Sequence, residues 1–504
     1  MWGFLTRTHG APLFPRRTIM SISTYPYAPS PADPSTVIPL LPLLAPPTND
    51  ARTPPSRLPT RPDRQPLPGY TLTRHTFPGA YPRTAPGFVS FDNHYTETDD
   101  PLGNVYSSDK KERLALIEQA VVNVREAYHA AGARTLVDLE NTKIDEPVVR
   151  LAVNRFTRTD LVRSSPLGTT TSATTSSTPP GLTLVVCHAN GFHKEMWEQT
   201  LVDLLAQIDR APGQGQIQID EIWAMDFANQ GESFRLNGGR IGPVASWADC
   251  ARDILSLVEH CMPAVGVAAP EQLEYAARRP ANARRFIGVG HSIGGNTITQ
   301  AAHAAPELFH SLFLVDPMTR IIDMTVDAQY GPILARISIG RRNVWESRDK
   351  ARQDLLRSPY FRAWHPSIFN LFLTHGLVNV SPDPSIPTEA TSGVPVTLAC
   401  PRWAEAAVFT DWHGIQAGFD KLPFLSERCK VRFVMAGDAT ATGGAERTSL
   451  IVWRPPTTEN IILTEASHLV TQEKPDVLGE QLWRSLQDLP LGPPNDHSSV
   501  KAKL

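Results

Sequence analysis

Gly290-His291-Ser292-Ile293-Gly294-Gly295 follows directly on the apolar run Phe286-Ile287-Gly288-Val289. A G-x-S-x-G pattern between a strand-like run and a helix-like one marks a nucleophile elbow. This sharp turn holds serine in strained backbone geometry, and small neighbours relieve the crowding. Such a serine attacks carbonyl carbon, and the next amide, Ile293 N–H, points at the oxyanion that develops. Serine needs a base, and histidine is the usual one near neutral pH. Of the 15 histidines, His468 has the best place, in the loop Glu465-Ala466-Ser467-His468 between the run Ile461-Ile462-Leu463 and a last helix-like segment. His303, His310, His365, His375 and His413 read as structural. His188-Ala189-Asn190-Gly191 follows the run ending at Cys187, where Asn190 or Gly191 would supply the second oxyanion N–H. Asp226, Gly231 and Ser233 form a turn that braces rather than reacts.

These residues need elements to hold them. Short apolar runs at 182–187, 219–225, 286–289 and 312–315 alternate with amphipathic stretches at 195–208, 247–261 and around Ala301. Buried strands alternating with helices imply right-handed crossovers and a doubly wound, mainly parallel sheet of the α/β class. The alternation pauses from Pro317 to about Arg428 and resumes with 431–435, 461–463 and a helix at 475–486. An insert of that length between late strands reads as a helical cap over the strand ends. Its aromatics Trp345, Tyr360, Phe361, Trp364 and Phe369 line an acyl pocket or simply pack. Upstream, 110–131 suits a surface helix and 148–156 alternates like a strand.

The run from Cys187 to Glu198, the turn from Asp226 to Ser233, the elbow and Ser467-His468-Leu469-Val470 together resemble the fungal peroxisomal α/β-hydrolases. That group includes a yeast peroxisomal lipase and proteins of fungal toxin biosynthesis. The likeness runs over about residues 145–490, with Ala189 where the family often has glycine. It implies an α/β-hydrolase fold and a serine hydrolase with a Ser292–His468–acid triad. Many hydrolases carry the acid three residues after a glycine ending the penultimate core strand. Here Met435-Ala436-Gly437-Asp438-Ala439-Thr440 puts Thr440 there and leaves Asp438 out of step. The fungal group has its carboxylate after the strand following the elbow, which matches Asp316 in Leu314-Val315-Asp316-Pro317. We favour Asp316, with Asp438 as the alternative. The expected substrate is a small-molecule ester or thioester, split through an acyl-enzyme without metal or other cofactor. A non-catalytic or acyl-transferring protein of a secondary-metabolite pathway is the alternative.

The division expected for the 504 residues is an extension at 1–85, core at 86–316 with a flexible Ser/Thr-rich loop at 164–180, cap at 317–428, core at 429–490 and tail at 491–504. The extension holds much of the chain's 46 prolines and reads as disordered. A formal charge of -3 gives no support for nucleic-acid binding. The apolar stretch at 37–44 is cut by Pro39 and Pro42, so no membrane span is expected. Five scattered cysteines fit reduced thiols better than a disulfide framework. Ala502-Lys503-Leu504 is a conservative variant of the C-terminal peroxisomal address, with an import receptor as partner. Arg7, Arg16 and Arg17 before the first acid at Asp33 have the charge of a mitochondrial presequence, but the prolines oppose its helix. Mitochondrion and cytoplasm are the alternatives to the peroxisome.

Overall fold

The structure is a computed structural model that describes residues 22–28, 30–47, 57–103, 105, 107–141, 144–162, 181–211, 217–277, 284–323, 333–380 and 393–489. The opening arginines, the whole of the loop at 164–180, and Ala502, Lys503 and Leu504 lie outside them.

The strands are β1 (Ile22–Ser23), β2 (Tyr70–Pro78), β3 (Arg150–Arg158), β4 (Leu182–Cys187), β5 (Ile219–Met225), β6 (Arg285–His291), β7 (Phe309–Val315), β8 (Val344–Trp345), β9 (Leu377–Asn379), β10 (Val396–Leu398), β11 (Lys430–Ala436) and β12 (Thr458–Leu463). Nine of them form one sheet in the order β1-β12-β11-β7-β6-β4-β5-β3-β2. The six from β12 to β5 are parallel, and β1, β3 and β2 add antiparallel margins. The parallel strands read as nearly unbroken apolar runs because helices cover both faces. In β4, Leu184 and Val186 pack with Leu201, Leu204, Leu478 and Leu482 of the helices Glu198–Arg210 and Pro475–Gln487. Val185 and Cys187 face the other way, toward Ile254, Ile298 and Ala301 of Trp247–Leu255 and Ile293–Ala304. Each of these fully buried leucines contributes roughly 1.5–3 kcal/mol.

From β4 the chain steps to β5 on one side, then returns to β6 on the other and continues to β7, β11 and β12. The order therefore reverses between β4 and β6, and a crevice opens at their carboxyl ends. Between β7 and β11 the chain leaves the sheet and builds a small antiparallel sheet, β8-β10-β9, with several helices.

The disordered extension expected at 1–85 is corrected where the structure describes it. Residues 70–78 are a sheet strand, and the proline-rich stretch before them is tied to the surface. Proline lacks an N–H but keeps its carbonyl. The buried Arg252 guanidinium donates to the carbonyls of Leu41, Pro42 and Pro82. Trp453 donates to Tyr25 O, and Tyr25 N–H donates to Asn460. No described helix is long and apolar enough to cross a membrane, and all five cysteines are free.

Candidate active site

The elbow between β6 and the helix Ile293–Ala304 puts Ser292 at φ +56°, a value that L residues adopt only under strain. The turn is too tight for side chains on its flanks. A Cβ on Gly290 would stand 2.4 Å from Gly294 O, and one on Gly294 2.5 Å from Cys187 O. Ser292 N–H donates to Val315 O, and Met318 N–H donates to Ser292 O, so the next strand end helps to hold the turn.

His468 reaches this serine from the loop after β12. Its Nε2 lies 3.1 Å from Ser292 Oγ and its Nδ1 lies 2.6 Å from Asp316 Oδ2. Asp316 is fully buried at the end of β7, and its other oxygen accepts Ala436 N–H at 3.1 Å. Asp438 lies elsewhere: its carboxylate caps the turn at Ala439–Thr442 by accepting Thr440 N–H. The geometry thus brings Ser292, His468 and Asp316 together and leaves Asp438 on the cavity wall.

Two further histidines hold this geometry. Burial and the neighbouring His468 push His291 down to about 3, so its ring is neutral. One ring nitrogen, Nε2, lies 2.8 Å from His468 O, which only accepts, so Nε2 carries the proton and tethers the His468 backbone. Burial likewise pushes His188 down to about 3. Its Nδ1–H meets Ala189 O at 2.8 Å and its Nε2 accepts Phe227 N–H, which pins the loop after β4.

That loop departs from expectation at Gly191. Its N–H is already donated to Gln230 Oε1 at 2.9 Å, so it is not a spare oxyanion donor. The Gln230 amide in turn donates to Asn190 Oδ1, and Asn190 Nδ2 donates to Glu405 O. Gln230 escapes a sequence reading because only its neighbours Asp226, Gly231 and Ser233 look like turn residues. These do brace the site. Asp226 accepts Lys194 N–H and Glu232 N–H, and Ser233 Oγ accepts Ala152 N–H. Beneath the loop, Lys194 Nζ sits 2.9 Å from Asp226, 2.7 Å from Glu232 and 3.1 Å from Glu195. Burial opposes its charge, but the three carboxylates outweigh burial and hold its pKa above the usual lysine range.

Ser292, Ile293, Ala189, Asn190, Gly191 and His468 open on a cavity of about 450 Å³. Trp345, Tyr360, Phe361 and Trp364 line it, whereas Phe369 packs behind them in the cap's own core. Among the described residues no cluster of metal-ligating side chains is present.

A sequence family described as the alpha/beta hydrolase family matches residues 184–481. The Type I acyl-CoA thioesterase mpaH of Penicillium brevicompactum is 28% identical over 239 residues, which is 44% of this chain and 48% of that protein. Peroxisomal membrane protein LPX1 of Saccharomyces cerevisiae is 33% identical over 143 residues, 28% of this chain and 32% of its own length. The chain thus spans about half the length of the thioesterase relatives it matches. The solved structure of the Saccharomyces cerevisiae peroxisomal alpha-beta-hydrolase Lpx1 has a TM-score of 0.53 at 16% identity, covering 87% of this chain and 94% of that one. It shares the fold. The family match starts in β4, the strand beside the elbow strand, and ends in the last helix, so it takes in the whole crevice. On that match, which covers more than half of its length, the chain belongs to the alpha/beta hydrolase family.

Proposed function

We propose that the protein is a serine hydrolase that cleaves a carboxylic ester or thioester through an acyl-enzyme. The observation that carries this reading is His468, whose two ring nitrogens lie 3.1 Å from Ser292 Oγ and 2.6 Å from Asp316. Asp316 accepts Nδ1–H and so fixes the tautomer whose Nε2 takes the Ser292 proton as Oγ bonds to the acyl carbon. The tetrahedral oxyanion rests on Ile293 N–H and on Asn190 N–H, since the Gly191 donor is spent on Gln230. His468 returns the proton to the departing alcohol or thiol as its bond to the acyl carbon breaks. Water then repeats the sequence and frees the acid. Residues 317–428 act as the cap that walls the acyl cavity. The thioesterase relative supports the thioester alternative. A fluorophosphonate probe should label the wild type and not Ser292→Ala. An unlabelled wild type would overturn the reading.

The peroxisome is the proposed compartment, through Ala502-Lys503-Leu504 and its import receptor. The peroxisomal relative supports it. Removing the tripeptide should leave a tagged protein diffuse in the cytosol, and continued import would rule this address out.

A further inference from the structure

Four residues that line the cavity, Arg342, Pro359, Ala363 and Thr440, are exposed to solvent. Two of these, Arg342 and Pro359, belong to a stretch of unusual charge. Residues 336–362 hold eight lysines and arginines against three acids, in a chain whose formal charge is -3. Arg348 is buried and donates to main-chain carbonyls, but most of the others reach solvent. Asp354, on the cavity wall, is shared by three cations: Arg342 at 2.6 Å, Lys350 at 3.4 Å and Arg357 at 3.3 Å. Glu346 reaches Arg342 only at 3.9 Å and is 76% exposed. Arg352 donates to the Asn370 amide and Arg362 to the carbonyls of Leu356 and Arg357, all neutral partners. Arg336 and Arg341 are taken up by Glu118 and Glu405 from outside the stretch. Arg342, Lys350, Arg352, Arg357 and Arg362 still outnumber Glu346, Asp349 and Asp354 along it, while the cavity wall behind is aromatic.

We propose that this basic rim binds the phosphates of the substrate's leaving group. The proposal rests on the hydrolase reading and narrows it to acyl thioesters of a thiol carrier that bears phosphates. The acyl part enters the apolar cavity, the scissile carbonyl meets Ser292, and the carrier trails out past Arg342. Guanidinium forks suit phosphate oxygens, and a cationic mouth draws a polyanion toward it. A neutral glyceride would gain nothing from these charges.

The test compares two substrates with one acyl group: octanoyl-coenzyme A and the octanoyl thioester of N-acetylcysteamine, which lacks phosphate. Full-length wild type should prefer the first, mainly through KM. In Arg342→Glu/Arg357→Glu, the ratio of the two kcat/KM values should fall about 10-fold or more. Raising the salt should lower the wild-type ratio too. The phosphate-free thioester doubles as the control for folding. An unchanged ratio overturns the rim and leaves the hydrolase reading intact. If neither thioester nor an ester is cleaved, the hydrolase reading fails. The rim is then judged by equilibrium binding of coenzyme A: weaker binding in the variant supports it, and equal or no binding overturns it. Charge-dependent binding to phosphatidylserine vesicles with an unchanged ratio would assign the rim to lipid headgroups and overturn the carrier.

Discussion

At Asp316 the main chain takes φ +38°, and Ser292 is the other non-glycine residue with positive φ among those described. Such conformations cost about 1–3 kcal/mol each and persist only where the surroundings over-determine them. Here both strained residues meet one histidine. Asp316→Asn should therefore lower kcat by roughly 10⁴-fold with little change in ground-state binding, whereas Asp438→Asn should keep most activity. Steady-state kinetics on an activated ester checks both, and the reverse pattern would move the acid to Asp438. Ser292→Ala and His468→Ala should each remove nearly all turnover, and the double variant should be little worse than either. The sequence left two carboxylates open because both follow strand ends. Which of them faces His468 depends on how β7 and β11 stand side by side, which spacing along the chain does not encode. Gln230 and His291 were illegible for a related reason. Each acts through a backbone atom that comes near only in the folded chain.

Among the elements, the elbow is the least tolerant. Gly294→Ala would push a methyl to 2.5 Å from Cys187 O, which ties the turn to β4. We expect a lower Tm and loss of activity together, seen by scanning calorimetry and probe labelling. Stable, labelled protein would mean that the turn can shift. The parallel strands were legible because each is a short apolar run buried on both faces. β2 was not, since Thr71, Thr73, Arg74 and His75 interrupt it and prolines flank it. The segment before β2 supplies Arg61, whose guanidinium lies 2.8 Å from Glu232, both nearly buried. Burial opposes the Glu232 charge, but Lys194, Arg61 and Arg74 outweigh it and hold the carboxyl well below the usual range. Arg61→Ala should cost about 1–3 kcal/mol in chemical denaturation, less than breaking an isolated buried pair, because two cations remain. No loss of stability would mean that this segment is not part of the folded unit.

Over the whole molecule, buried histidines make stability depend on pH. Burial holds His75 at about 4 and His188 and His291 at about 3, against a usual 6.5. Below pH 6.5 the unfolded chain binds protons that the folded one refuses, so stability falls as pH drops toward 4. Glu198 runs the other way: burial raises it to about 7, so the folded state holds an extra proton between 7 and 4.5. Three histidines outweigh one glutamate, and Tm should fall from pH 7.5 to 5.5; a flat profile would contradict the buried neutral rings. At this scale the sequence conveyed the winding of the sheet but not its two outermost strands, β1 and β2. β1 shows why. It pairs with β12, and Tyr25 N–H donates to Asn460, 435 residues away. At about 5–20 residues per second, a ribosome makes Asn460 roughly 20–90 s after Tyr25. For that interval the leading segment has no partner and the far edge of the sheet does not exist. One of the last strand pairings of the sheet to close in time is thus made by the first described residues to be synthesised, and the sheet can be completed only near the end of translation.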